Sequence, residues 1–194
     1  MTSTTTAEQD RKIGGHELPA PGTWTADPAH SSVEVVAKHM MVTKVRGRVG
    51  EVSITAEIDA DPTKSSVVAI LKAGTLSTSN EQRDGHLMSE DFLDVERFPE
   101  ITFRSRSLEH IAGDRWKASG DLSIRDITRP VDLDIEFGGV VRSPFGHDVA
   151  VFSATGVVHR EDFGMTWNQT LETGGVLVSK TAKVEIEAQL VRSE

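Results

Sequence analysis

The chain has 194 residues, 37% of them hydrophobic and 26% charged, enough to build one soluble domain around a substantial core. Its formal net charge of −9 argues against a nucleic-acid-binding surface and against simple adsorption to anionic membranes. It contains no cysteine, which excludes disulfides, thiol catalysis and thiolate metal sites.

Residues 1–20 read as a disordered arm, rich in Thr and Ser at the start and closed by Pro19, Pro21 and Gly22. The arm has no basic start and no apolar run, so no secretory signal is visible, and no window is apolar enough to span a bilayer. With Met1 as the native start, the expected location is the cytoplasm, without stable membrane insertion.

From Trp24 onward, residues 21–194 read as one domain with a period of two. Val33, Val35 and Ala37 form one apolar row. Residues 39–43 look like a short break, one helical turn long. Val52, Ile54, Ala56 and Ile58 alternate with polar neighbours, and Asp61–Pro62 mark a turn. Val67, Ala69 and Leu71 follow. Residues 80–94 then carry helical features: Asn80 can cap, Glu81 lies in the first turn, and Leu87 and Met88 fall one turn before Asp91 and Phe92. Pro99 ends that insert, and Ile101 and Phe103 start a half-buried strand. Gly113–Asp114 mark a hairpin turn to Trp116, Ala118, Leu122 and Ile124. Val131, Leu133, Ile135 and Phe137 against Asp132, Asp134 and Glu136 make the clearest amphipathic strand. Residues 149–158 form another, and residues 159–175 a second, shorter insert with Phe163, Met165 and Trp167. Val184, Ile186, Ala188 and Leu190 close the chain.

The pattern is all-β: about eight antiparallel strands, one longer helical insert and one short one. Closing such a sheet into a barrel hides both its apolar faces and its edges, but a two-sheet sandwich has the same periodicity. A barrel of eight strands is just wide enough for one small elongated ligand.

The ordered motifs resemble the YceI-like family across nearly the whole domain. They begin with Trp24, Asp27, His30 and Ser31, then Lys38–His39, Val45 and Gly47. The centre carries Arg83–Asp84, His86–Leu87, Ser89, Asp91–Phe92, Asp94, Phe98–Pro99, Thr102–Phe103 and Ser105. Later come Gly120, Leu122, Ile124, Thr128 to Val131, Arg160, Asp162 to Met165, and Trp167. The resemblance implies a lipocalin-like antiparallel barrel that binds a polyisoprenoid or similar amphiphile in an apolar tunnel, without catalytic residues or a cofactor, as a homodimer. Two positions depart from the family pattern: Asp126 stands where a glycine is expected, and Leu93 where a second Phe often follows Phe92.

Arg83 offers a planar donor fork for a phosphate or carboxylate, and His86 a donor for a polar head group. The plainer alternative is that Asp84 pairs with Arg83 or caps the insert helix while His86 packs at the barrel mouth. Asp84, His86 and Ser89 are the residue types of a hydrolytic triad, but neighbouring positions do not supply its geometry. The seven histidines show no metal-ligand spacing. Leu87, Met88, Phe92, Phe98 and Phe103 are the candidates for lining or gating a tunnel. The expected ligand set is therefore Arg83, His86, Leu87, Met88, Phe92, Phe98 and Phe103. The expected function is non-enzymatic binding of a long-chain lipid such as a polyprenyl lipid, quinone precursor or fatty-acid derivative. Two rivals stay open: an enzyme acting on such a lipid, and an interaction module whose barrel is filled by side chains.

Overall fold

A computed structural model describes residues 11–13, 15–172 and 174–193. Strands β1 (Lys12–Ile13) and β2 (His16–Glu17) form a small hairpin. The domain then runs through β3 (Gly22–Ala26), β4 (Ser32–His39), β5 (Thr43–Val49), β6 (Val52–Ile58), β7 (Ser66–Lys72) and β8 (Leu76–Ser77). After the helix α1 (Glu81–Met88) come β9 (Glu100–Ala112), β10 (Arg115–Ile124), β11 (Ile127–Arg142), β12 (Asp148–His159) and β13 (Val178–Arg192).

Strand β13 closes the sheet. One of its edges pairs with β12 and the other with β4 and then β3. Strands β3 and β6 pair, as do β4 and β5, and β7 and β8 continue that arrangement against β6 and β5. Strands β3 to β8 are thus three bent strands, each in two pieces. With β9 to β13 they make an eight-stranded closed antiparallel barrel, so the period-two rows of the sequence form one enclosed apolar lining. The two-sheet alternative is excluded by the ladders on both edges of β13.

Three local expectations differ. Residues 39–43 are not helical: Val42 N–H donates to the His39 carbonyl across Met40 and Met41, both left-handed at φ 51° and 62°, so β4 and β5 form a tight hairpin. The insert helix stops at Met88, short of Asp94, because the Ser89 N–H turns back to the His86 carbonyl and Asp94 takes φ 49°. The turn with Asp126 needs no glycine there, since the left-handed residue is Arg125 at φ 58°. Of the expected disordered arm, residues 1–10 and Gly14 lie outside the described residues. The rest forms the β1–β2 hairpin, held by Arg11 Nη1 and Nη2 donating to the carbonyls of Pro19 and Asp59.

The core sits inside the barrel. Trp24 is buried and donates its indole N–H to the Ala20 carbonyl at 2.8 Å. Gly120 lets the Phe103 ring lie against β10, and Gly156 makes the same allowance for Leu133.

Candidate functional site

Two chambers occupy the barrel. The inner one, about 160 Å³, is lined almost wholly by apolar side chains, among them Ile54, Ala56, Phe103, Trp116, Leu133 and Phe137. Arg11, Leu18 and Pro19 of the N-terminal segment border it at the end away from α1. The outer chamber, about 560 Å³, opens at the α1 end between β4, β5, α1 and the segment leading into β13. The two share no lining residue. Between them lies a waist of packed side chains in which Val33 and Leu71 are buried, with Ala69, Leu76, Ile101, Val184 and Ile186 against them.

The outer chamber has a mixed edge. Arg83, His86, Leu87 and Phe92 line it, together with Leu76 and Trp167. Arg83 donates from Nε to Thr78 Oγ1 at 2.7 Å and from Nη2 to the Thr78 carbonyl at 3.0 Å. The Asp84 carboxylate accepts from the Thr78 N–H, the Thr78 hydroxyl and the Ser77 hydroxyl. Both residues therefore clamp the β8–α1 connection, and Asn80, not Asp84, caps the helix by accepting the Arg83 N–H. His86 lies edge-on to Phe92 and Trp167, at ring distances of 5.0 and 4.5 Å, with Nε2 2.9 Å from Asp91 Oδ2. Ser89 Oγ donates to the His86 carbonyl. Asp84, His86 and Ser89 thus each bond elsewhere, and no chain of side chains links them as a nucleophile, base and orienting acid would be linked.

The remaining sequence candidates separate. Phe103 is buried in the core and lines the inner chamber. Met88 lines neither chamber; its carbonyl accepts the Val95 N–H. Phe98 also lines neither, its ring lying under the Arg97 and Arg125 guanidinium groups at 4.9 and 6.0 Å. Leu93 is buried in the main core cluster away from both chambers. Sequence reasoning placed Trp167 only in the second insert, whereas it forms a wall of the outer chamber against His86. It assigned no role to the inward rows of β11 to β13, which read as ordinary core.

Arg160 was also given no role. It is buried beneath the chamber, with its guanidinium 5.9 Å from the Phe92 ring. Nε donates to the Ser179 carbonyl, and Nη1 to those of Met165 and Trp167. Burial pulls its pKa below the usual arginine value, with Glu161 acting the other way. A guanidinium stays charged even so, and cation–π contact with Phe92 helps to accommodate it.

Asp84 gives the α1 junction a pH dependence. Its partial burial acts to raise the pKa, but the hydrogen bonds from Thr78 and Ser77, with Arg83 alongside, outweigh that and hold the carboxyl below its ordinary value. With the folded pKa depressed, the stabilisation is complete above the unfolded value of about 3.9 and is lost as pH falls through the folded value. The urea midpoint of Asp84→Asn is expected to lie below wild type at neutral pH and to change less from about pH 5 down to pH 3. Parallel midpoint curves for the two proteins would overturn this assignment.

An eight-stranded closed antiparallel barrel with an apolar interior and one end opening beside a helix is a lipocalin-like barrel. The YceI-like domain model matches residues 24–190, and the chain belongs to that family. It is 39% identical over 173 residues to the UPF0312 protein SA2479 of Staphylococcus aureus (strain N315), covering 88% of this chain and 98% of that protein. The crystal structure of the Campylobacter jejuni YceI protein is 27% identical, with a TM-score of 0.70 over 81% of this chain and 90% of that one. A polyisoprenoid-binding domain from Saccharophagus degradans implicated in plant cell wall breakdown covers 90% of this chain and 100% of its own, with a TM-score of 0.64. At 10% identity that last likeness shows the fold alone.

Proposed function

We infer that the protein binds a long-chain amphiphile, of the polyisoprenoid, quinone-precursor or fatty-acid type, and acts as a carrier or store without catalysis. The carrying observation is the almost wholly apolar inner chamber behind an outer chamber edged by Arg83 and His86. The tail lies inward and the polar end meets the mouth, where the unused donor capacity of Arg83 faces a phosphate, hydroxyl or carboxylate. The name of the Saccharophagus degradans domain supports a prenyl tail.

As it stands, the inner chamber is about the size of an engineered cavity of roughly 150 Å³ that takes a benzene ring. A tail of several isoprene units therefore needs the waist side chains to rotate aside. Ala69 is the residue to test, because it lines the inner chamber and packs in the waist. Ala69→Phe fills that passage. Excluding two methylene equivalents alone costs about 1.6 kcal/mol, more than tenfold in Kd. Affinity for a C40 or longer prenol is expected to fall at least tenfold, while a C10 prenol held in the outer chamber keeps its affinity. Equal affinity of both proteins for the long prenol would contradict tail insertion through the waist.

A further inference from the structure

The β4–β5 hairpin does not suit its own turn. A β-turn with left-handed φ at both central positions favours Asn-Gly, because side chains with a Cβ are strained there. Here Met40 and Met41 occupy those positions, and Val42 follows. All three point into solvent, at 50%, 51% and 81% exposure, whereas the other large exposed apolar residues among those described do not form such a consecutive run. Strain held in place to display apolar side chains points to use of that tip.

The tip is continuous with the mouth. His39, next to it, lines the outer chamber. Met40 N–H donates to the carbonyl of Leu177, another lining residue, and Met41 lies against Gly175. The lysines beside the tip are opposite in sign to the whole molecule. Residues 38–50 hold Lys38, Lys44, Arg46 and Arg48 and no acidic residue, on a chain of net charge −9, and Arg46 among them is ion-paired with Glu34 and Glu185. Lys38 and Lys44 stand directly opposite each other in the ladder and have no ion-pair partner among the described residues. Like charges so placed repel unless an anion lies between or beyond them.

We propose that the Met40–Met41–Val42 tip, backed by Lys38 and Lys44, docks the mouth of the barrel on an anionic lipid bilayer, so that the amphiphile passes between membrane and barrel. Three apolar side chains inserting at the headgroup boundary with lysines above them is the pattern of a weak, reversible interfacial anchor. The same three residues are far too few for a stable dimer, which uses about 20–30 residues a side. Transfer through the mouth rests on the lipid-binding reading above, but docking itself requires no bound ligand.

The test is co-sedimentation of the full chain with phosphatidylcholine vesicles, with and without phosphatidylglycerol. Wild type is expected to bind the anionic vesicles, more weakly as salt rises. Met40→Asn/Met41→Gly relieves the turn, so its Tm is expected to match or exceed wild type while its vesicle partitioning falls at least tenfold. Its affinity for a detergent-dispersed long prenol stays unchanged, which separates failure of docking from failure of the lipid-binding reading. Lys44→Gln is expected to lower partitioning onto anionic vesicles and to flatten the salt dependence. Wild type that ignores both vesicle types, or a double variant that sediments as wild type does, overturns the proposal. So does wild type found as a dimer in solution that the double variant splits into monomers, because the tip would then serve a second copy of the chain.

Discussion

Gly120→Ala is expected to destabilise the barrel by about 3 kcal/mol, at the upper end of typical overpacking costs. A Cβ at this position would lie 2.5 Å from the Arg104 carbonyl oxygen and 2.5 Å from the Phe103 ring. The first of these is backbone and cannot swing away. The pairing of β9 and β10 shifts register between Ser119 and Gly120, and that irregularity brings the two strands together here. Relief would require moving Phe103, which is buried in the core and walls the inner chamber. For a chain of this size the loss corresponds to a fall in Tm of about 10 °C. Binding of a long prenol is expected to weaken as well, since Phe103 is forced toward the cavity. Thermal unfolding followed by circular dichroism measures the first effect, and prenol titration the second. A Tm within about 2 °C of wild type would show that β9 relaxes at no cost.

Arg160→Met is expected to cost about 3 kcal/mol or more, by a different route. The side chain keeps much of its volume, but the carbonyls of Met165, Trp167 and Ser179 all lose a charged donor. Those carbonyls tie the stretch from Met165 to Trp167, just after the 3₁₀ turn at Arg160–Phe163, to the start of β13 at Ser179, and so hold Trp167 in the chamber wall. Hydrogen exchange should therefore quicken over residues 165–179 while β9 to β11 stay protected, and long-chain affinity should fall with Trp167 displaced. Arg160→Lys is not expected to rescue, because one ammonium cannot span three carbonyls arranged around a planar fork. Unchanged protection in that segment would show that the carbonyls find other partners, and the buried arginine would then be dispensable.

These two residues also show how far the sequence could be read. The alternation of Val131, Leu133, Ile135 and Phe137 with acidic neighbours located β11 directly, because a half-buried strand leaves that signature whatever its partners. Strand β5 left a weaker one. Its inward row is Val45, Gly47 and Val49, and Gly47 has no side chain because Leu76 and Thr78 press against it. Residues 39–43 were unreadable for the opposite reason: methionines have no preference for the left-handed turn they adopt. Barrel closure rests on the pairing of β13 with β3 and β4, from Val178 opposite His39 to Arg192 opposite Trp24, which periodicity does not contain.

The site was legible where chemistry clusters in sequence. Arg83, His86, Leu87 and Phe92 come together at the outer chamber because they sit on one short helix and the turn after it. Their detailed roles were not legible. Asp84 holds Thr78 and not Arg83 or the helix, and His86 bonds to Asp91, because the helix ends at Met88 and folds the following turn back. Arg160 stands in the sequence only as a matched motif residue, because a basic side chain in an insert carries no signal of burial. The one available hint was its place beside Phe163, Met165 and Trp167, an apolar setting that a solvated arginine rarely keeps.

Whether the barrel carries a lipid is tested most directly by native mass spectrometry of the full chain purified from its own cells, followed by organic extraction of the same sample. The expected result is a discrete added mass that leaves on extraction and is identified as a prenyl or acyl lipid. A clean unliganded mass, unchanged after incubation with long-chain prenols, quinones and fatty acids, would contradict the carrier function and leave a barrel that acts through its surface.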